Sequence, residues 1–365
     1  MNEKTVLVAM SGGVDSSVCG LLLRNAGYDC RGVMMRLFSP NDILSSAPCA
    51  DKNAEADAAR VAEALGFPFS VHDFSGEFRR EVIDYFIRTY ENGGTPNPCV
   101  QCNKTMKFGK LAALATLQGC DKIATGHYAR IVRDANGRSL LTCATDKSKD
   151  QTYVLWQLSQ EQLSRTLLPL GELTKAEVRE IAEANGLCNA HRKDSQDICF
   201  VPDGDYAAFI EHVTHKKPVL GNFIDLEGRV LGRHQGAIRY TVGQRKGLGI
   251  ALGAPAYVCA KDMQKNTVTL GKNEDLFKDT LVAHEINLIA TDKLTAPIRA
   301  EAKIRYSATP APCTVEQTDT NTLTVHFDAP QRAITGGQSL VLYDGDTVIG
   351  GGIIEGYKCL WGNPF

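Results

Sequence analysis

The chain opens with an apolar run, Thr5-Val6-Leu7-Val8, that passes through a Ser-Gly-Gly loop into Val18, Leu21 and Leu22 at helical spacing, with Gly27 placed to end the helix. This predicts a buried strand, a glycine turn and an amphipathic helix. Cys30 to Met35 reads as a second strand. An alanine-rich helix follows from about Ala50 to Leu65, stopped by Gly66. Phe67 to His72 predicts a strand, Glu77 to Tyr90 a helix, and Lys122 to Gly126 a further strand. Strands separated by helices of this length imply βαβ units and a parallel sheet that binds ligands at the carboxyl ends of its strands. Thr174 to Asn185 predicts a helix opened by a Thr174/Glu177 capping box and closed by Gly186.

Beyond about residue 200 the pattern changes. Glycine and β-branched residues crowd Arg239 to Gly249. From Val282 onward short alternating strands follow one another: Arg299–Tyr306, Cys313–Gln317, Thr322–Phe327, Ser339–Tyr343 and Val348–Ile354. Pro, Gly, Asp and Asn turns separate them, which predicts a small antiparallel barrel. The expected organisation is α/β. Residues 1–200 form an N-terminal parallel sheet with flanking helices, 201–274 a small β-rich central domain, and 275–365 a C-terminal antiparallel β-barrel.

Composition narrows the class. With 365 residues, 43% of them hydrophobic and 22% charged, the chain is neither disordered nor fibrous. No apolar run reaches membrane-spanning length, and Met1-Asn2-Glu3-Lys4 enters a strand without a signal-peptide core. A cytoplasmic protein is expected, with its 12 cysteines kept as thiols. The net charge of −2 gives no global pull toward nucleic acid. Between His215 and Gly247, however, seven Lys and Arg stand against two acids. That is a solvated basic face or a phosphate-binding groove.

Candidate chemistry begins at the glycine loop, Ala9-Met10-Ser11-Gly12-Gly13-Val14-Asp15-Ser16. Gly12 and Gly13 let backbone N–H groups converge on an anion at the positive end of the helix. Ser11 and Ser16 add hydroxyl donors, and Asp15 is placed to hold Mg²⁺ against a pyrophosphate. No Gly-Lys-Ser/Thr follows, so the loop lacks the lysine of the usual nucleotide P-loop. Ser-Gly-Gly-Val-Asp-Ser instead resembles the PP-loop of enzymes that cleave ATP to AMP and pyrophosphate. Met35 and Gly126, at expected strand ends, offer an apolar surface for a base and room for close approach.

A second constellation is built on cysteine. Thr95-Pro96-Asn97-Pro98-Cys99-Val100-Gln101-Cys102-Asn103 reads as a proline-braced loop leading into a helix near Lys104. Cys102 would then lie just before a positive helix end, which favours the thiolate. Cys199 lies in a polar, turn-prone segment, Lys193 to Phe200. Cys102 and Cys199 are suited to act as nucleophile and sulfur carrier if the fold brings them together. Cys99 and Cys102 also form a Cys-x-x-Cys, which reads as metal or redox. An iron–sulfur cluster held by Cys99, Cys102 and Cys199 is the competing chemistry.

Taken with the blocks Ala124-Thr125-Gly126-His127-Tyr128-Ala129-Arg130, Lys149 to Tyr153, Tyr240 to Leu248 and Gly350 to Glu355, the whole chain resembles the bacterial tRNA-specific 2-thiouridylases. The resemblance implies that ATP with Mg²⁺ adenylates the C2 oxygen of the wobble uridine (U34) in certain tRNAs. Sulfur then arrives from a persulfide on Cys199, loaded by a sulfur-relay donor protein. Cys102 acts as nucleophile, through a transient Cys102–Cys199 disulfide or in a variant where the persulfide attacks directly. It places Ala9 to Ser16, Met35 and Gly126 on ATP, and Asn97, Pro98 and Cys99 on the target base. His127, Lys149, Asp150, Gln151, Arg305, Tyr306 and Gln338 go to tRNA, and the protein is expected to be a monomer. Some relatives carry Asp where this chain has Cys99, so a carboxylate's role does not transfer to that position. Two other readings remain. One is tRNA thiolation through cluster-bound sulfide, the other a redox-responsive tRNA-binding module that holds ATP without turnover.

Overall fold

The computed structural model describes residues 4–38, 52–192, 198–201 and 204–356. Its N-terminal sheet is built from β1 (Thr5–Ala9), β2 (Asp29–Arg36), β3 (Phe69–Asp73), β4 (Lys122–Ala124) and, after the hairpin β5 (Ala129–Arg133) and β6 (Ser139–Cys143), the short β7 (Thr166–Leu167). The order is β3-β2-β1-β4-β7, with every pairing parallel. In the central strand Val6, Leu7 and Val8 are fully buried. Both faces are covered, which is why the strand reads as a continuous apolar run. On one face lie α1 (Val14–Asn25), α2 (Lys52–Leu65) and helix Lys175–Ala184, through Val18, Leu21, Val61 and Val178. Phe108, Leu111 and Ala115 cover the other. The chain winds outward from β1 to β2 and β3, then crosses to β4. The crevice at the carboxyl ends of β1 and β4 is therefore the topological switch point where such sheets take ligands.

The predicted strands and helices of this half are present, and Gly27 and Gly66 follow their helices at φ 83° and 72°. Residue 50, where the second helix was expected to begin, lies outside the described residues.

One expectation is corrected. The helix predicted from about Lys104 begins at Pro98 and runs continuously over 98–117, with a π-helical stretch at Asn103–Lys110. Proline is tolerated at the first helical position, where its missing N–H costs nothing. Asn97 caps the helix by accepting the Cys99 N–H at 3.1 Å. Cys102 therefore does not precede a positive helix end. Cys99 occupies the first turn, and Cys102 sits one turn inside, buried.

The central unit begins with helix Tyr206–Thr214 and contains β8 (Gly221–Ile224), β9 (Val230–His234), β10 (Tyr257–Asp262) and β11 (Thr267–Gly271), in the order β10-β11-β8-β9 around Phe223. The C-terminal barrel comprises β12 (Phe277–Leu288), β13 (Ile298–Lys303), β14 (Ala311–Asp319), β15 (Thr322–Arg332), β16 (Ser339–Asp344) and β17 (Thr347–Ile354). Their order is β12-β15-β14-β13-β16-β17, and β17 pairs back with β12 to close the barrel. The β5–β6 hairpin, absent from the sequence reading, leaves the N-terminal unit to join it through Thr142 and Thr347. Trp156, fully buried, seals that seam, and Gly351 makes room for it: a β-carbon there would lie 3.0 Å from the indole.

Candidate active site

At the end of β1 the glycine loop spends its own polar groups on holding its shape. Ser16 Oγ donates to the Gly13 carbonyl at 2.9 Å and Ser17 Oγ to the same oxygen at 3.0 Å. The Ser11 N–H donates to Ser16 Oγ at 3.2 Å. The Gly12 carbonyl accepts from Asn189 Nδ2 at 2.8 Å and Arg192 Nη1 at 3.3 Å. Gly12 adopts φ 75°, and a β-carbon there would stand 2.3 Å from the Ala54 carbonyl oxygen, so the position requires glycine. The loop carbonyls are thus drawn inward, while Gly13, the residue before α1, offers no side-chain cap. That leaves the first-turn N–H groups for an anion.

Gly126, just after β4, packs directly on this turn. A β-carbon there would be 2.8 Å from the Asp15 carbonyl carbon and 2.9 Å from the Ser16 nitrogen. Asp15 is tied into the wall of the crevice. It accepts from Tyr128 Oη at 2.7 Å and from Lys175 Nζ at 2.8 and 2.9 Å. Lys175 is thus the cation that the loop's own sequence lacks. It opens a helix, a position where a cation is disfavoured at the positive end of the helix dipole unless paired. Asp15 Oδ1 carries two of these donors and Oδ2 one. A single carboxylate of this kind suits a Mg²⁺ that is held chiefly by phosphate oxygens and water. Met35, half-buried at the end of β2, packs between two cores and supplies an apolar wall.

Aromatic packing unites the two distant cysteines. Phe200 is buried against Phe78, Phe86 and Phe209, with ring centroids 5.9, 5.1 and 5.2 Å away. Cys102 and Met106 of the 98–117 helix belong to the same cluster, and Cys199 packs on it. Residues 97 positions apart in sequence therefore share one core, and both are thiols here. The Lys193–Asp197 part of the Cys199 segment lies outside the described residues. Among the described residues, no three His, Cys, Asp or Glu side chains converge as metal ligands, so Cys99, Cys102 and Cys199 do not form a three-thiolate site in this structure.

Cys99 of the helix lies near Lys107 and near Tyr306 of the barrel, which act on it electrostatically. Cys99 is open to solvent yet crowded by protein atoms, which pushes its thiol pKa up, while Lys107 pulls it down. His127 is buried, with Nδ1 2.7 Å from Thr125 Oγ1. Burial, then Lys107, holds its pKa well below the ordinary value, so the imidazole is neutral. Tyr306 Oη donates to the Asp150 carbonyl at 3.3 Å. Asp150 and Gln151 serve the fold. Asp150 accepts from the Ala144 N–H and Thr152 Oγ1 at 2.9 and 2.5 Å, and Gln151 Oε1 accepts the Tyr128 N–H at 2.9 Å. Gln338 Nε2 donates to the Thr95 carbonyl at 2.7 Å. Arg305, exposed, donates to the Arg332 carbonyl at 3.1 Å. A separate cleft of 720 Å³, bounded by Lys104, Phe108, Gln157, Arg165 and Asn287, contains none of the predicted site residues.

Three family models cover the chain: a tRNA methyl transferase HUP domain over residues 4–203, a tRNA methyl transferase PRC-barrel domain over 207–272 and an aminomethyltransferase beta-barrel domain over 278–354. The tRNA-specific 2-thiouridylase MnmA of Clostridioides difficile is 50% identical over 357 residues, which is 97% of this chain and 99% of that protein. The chain belongs to the tRNA-specific 2-thiouridylase family. The enzyme of the same name from Lachnoclostridium phytofermentans is 49% identical over 96% of this chain and 99% of its own length. That from Clostridium acetobutylicum is 48% identical over 97% and 100%. Family membership makes the chain a tRNA sulfurtransferase of the PP-loop type. Among the described residues, no helix is long and apolar enough to cross a membrane.

Proposed function

We propose that this chain converts the wobble uridine of its tRNA substrates to 2-thiouridine, consuming ATP. The observation that carries this reading is the meeting of Cys102 and Cys199 in one core, in the same unit as the glycine loop at the switch point. The uracil C2 oxygen is a poor leaving group, so chemistry there needs activation. ATP, its phosphates on Ala9 to Ser16 and its base against Met35 and Gly126, adenylates that oxygen and releases pyrophosphate. Loop N–H groups and Lys175 hold the phosphates, which is charge stabilisation by positioned dipoles and a cation. Mg²⁺, bound through the phosphates with Asp15 beside it, would neutralise the developing pyrophosphate charge.

Sulfur transfer follows. A sulfur-relay donor protein leaves a persulfide on Cys199. The Cys102 thiolate attacks the Cys199 Sγ, forming the Cys102–Cys199 disulfide and expelling hydrosulfide. Hydrosulfide adds at the activated C2, AMP departs, and a thiol reductant restores both cysteines. Asn97, Pro98 and Cys99 line the place of the flipped base. His127, Lys149, Asp150, Gln151, Arg305, Tyr306 and Gln338 frame the tRNA. Tyr306, exposed, contributes surface for it, whereas His127, Asp150, Gln151 and Gln338 hold the parts of the fold that do so. The domains span 1–200, 201–274 and 275–365, and the enzyme works as a cytoplasmic monomer. Nucleoside mass spectrometry of tRNA from cells lacking the chain tests the activity: 2-thiouridine should disappear and return on complementation. Undiminished 2-thiouridine would refute it.

A further inference from the structure

We propose that Lys107 is the cation that stabilises anionic sulfur at the target base, a role that rests on the sulfur-transfer reading above. Lys107 Nζ lies 3.5 Å from His127 Nε2. An ammonium only donates, so Nε2 is the accepting nitrogen. The imidazole proton is then on Nδ1, which donates to Thr125 Oγ1 at 2.7 Å. Phe108, its ring centroid 5.7 Å from that of His127, covers the imidazole. Thr125, His127 and Lys107 thus form a chain that fixes the ammonium on the helix that carries Cys99 and Cys102. His127, buried and neutral, brings no charge of its own.

The backbone explains why Lys107 points there. It follows Cys102 by five residues, inside the π-helical stretch Asn103–Lys110. In an α-helix, residues five apart diverge by about 140° at about 100° per residue. The i to i+5 closure of a π-turn stacks them one turn above the other, a device frequent at functional sites. The same ammonium acts on the Cys99 thiol, one turn earlier. Two neighbouring cations are turned elsewhere: Lys303 lies over the rings of Tyr153 and Tyr306 at 5.7 and 5.8 Å, and Arg305 donates to a backbone carbonyl. Lys107 has no carboxylate partner among the described residues and sits half-buried. A partly desolvated cation with no carboxylate partner, on the helix that carries both thiols and acting on that of Cys99, favours an anion beside that helix. In this reaction the anions are the Cys102 thiolate, the expelled hydrosulfide and the charge that develops as sulfur adds to C2.

The test compares Lys107→Met and Lys107→Arg with Lys104→Met, which removes an exposed lysine on the same helix. Two measurements use protein without tRNA. Peptide-resolved alkylation should show the Cys99 midpoint moved to higher pH in Lys107→Met; among the described residues the titratable groups facing that thiol are Lys107 and Tyr306. The His127 imidazole, titrated by NMR, should become easier to protonate. Thiolation kcat should fall about 10- to 100-fold with KM for tRNA within about twofold, the scale of losing one charge-stabilising group. Lys107→Arg should keep most activity, and Lys104→Met all of it. A kcat within about twofold of wild type in Lys107→Met, or an unmoved Cys99 midpoint, would overturn the assignment. A wild-type protein that forms no 2-thiouridine would instead sink the sulfur-transfer reading, while alkylation and NMR still judge the position of Lys107.

Discussion

Gln338, on the barrel, donates its side-chain N–H to the carbonyl oxygen of Thr95 at 2.7 Å, and the Thr95 N–H in turn donates to the Gly336 carbonyl at 2.9 Å. Two residues before Asn97, the chain is therefore gripped from both peptide edges by a single barrel loop. Gly337, at φ 87°, makes the grip possible, since a β-carbon there would lie 3.0 Å from the Thr95 nitrogen. The β-barrel thus shapes the segment that caps the helix of Cys99 and Cys102. Gln338, expected on tRNA, acts here on the protein.

Replacing Gln338 by alanine should loosen that segment without touching the ATP crevice. One hydrogen bond of this kind contributes about 1 kcal/mol, and the Thr95 carbonyl would remain to be solvated. Amide hydrogen exchange should accelerate over 94–99, and thiolation should fall several-fold while pyrophosphate release holds. Unchanged exchange at those residues would show that the clamp is not what orders them.

Asp15 and Lys175 should behave as a coupled pair. With the Lys175 side chain 11% exposed and that of Asp15 32%, Asp15→Asn removes the carboxylate charge from beside a largely buried ammonium. The loss should be roughly 1–3 kcal/mol, below that for a fully buried pair because Asp15 still sees water. Both Asp15→Asn and Lys175→Met should abolish tRNA-dependent pyrophosphate release while tRNA still binds. Thermal unfolding of the single and double variants should reveal a coupling energy of the same order. Strict additivity would mean that the 2.8 Å contact has no energetic weight.

The contrast between these residues shows what a sequence reveals. The β1–loop–α1 unit was legible because its signals are local: an apolar run, two glycines and a helical stripe within 25 residues. Lys175 was not, because its partner lies 160 residues earlier in the chain. The β5–β6 hairpin escaped for the same reason, its outer edge completed by Thr347 of the barrel. Helix 98–117 was misplaced at its start by a local rule, proline as helix breaker, that does not apply at the first helical position. The pairing of Cys102 with Cys199 was suggested by their settings in the sequence and given its chemistry by the family resemblance, and packing around Phe200 brings the two into one core.

Acid should weaken the fold through His127. Its folded pKa is depressed, so between that value and about 6.5 the unfolded chain binds a proton that the native state refuses. Stability is then retained above about pH 6.5 and lost as pH falls below it, with a slope approaching 1.4 kcal/mol per pH unit for this group. His127→Asn should flatten the unfolding free energy between pH 6.5 and 5.5 by about that much. Parallel profiles for wild type and variant would mean that the imidazole is not held neutral.

Fewer basic residues of the 215–247 segment are available to RNA than the sequence suggests. Lys216 pairs with Glu91 at 2.6 Å, Arg229 with Asp225 at 2.6 Å and Glu227 at 3.0 Å, and Arg239 with Glu211. Lys217, Arg233, Arg245 and Lys246 are exposed without an ion pair among the described residues. Affinity for tRNA should fall linearly with salt on logarithmic axes. Lys217→Ala, Arg245→Ala and, on the barrel, Arg305→Ala should each reduce the slope by about one contact, and Arg229→Ala should leave it unchanged. A salt-independent affinity would remove phosphate contacts from the account of this half of the protein.

The cysteines give the sharpest division. If sulfur passes from a Cys199 persulfide by way of Cys102, both are indispensable, and neither Cys102→Ser nor Cys199→Ser should form 2-thiouridine. Cys99 stands in the first turn of the helix with its N–H on Asn97 and its thiol pKa raised by the protein atoms packed around it, a lining position rather than a carrier. Cys99→Ser should then keep most activity, since serine preserves the backbone bond and nearly the same volume. Adenylation should survive all three changes, because the loop and Lys175 perform it without a thiol. A cluster held by three thiolates predicts otherwise: losing any one ligand removes metal and activity together. The deciding assay is thiolation by metal-free protein supplied with a persulfide donor. Activity that returns only with iron, or a folded but inactive Cys99→Ser protein, would transfer the chemistry from the persulfide to a metal centre.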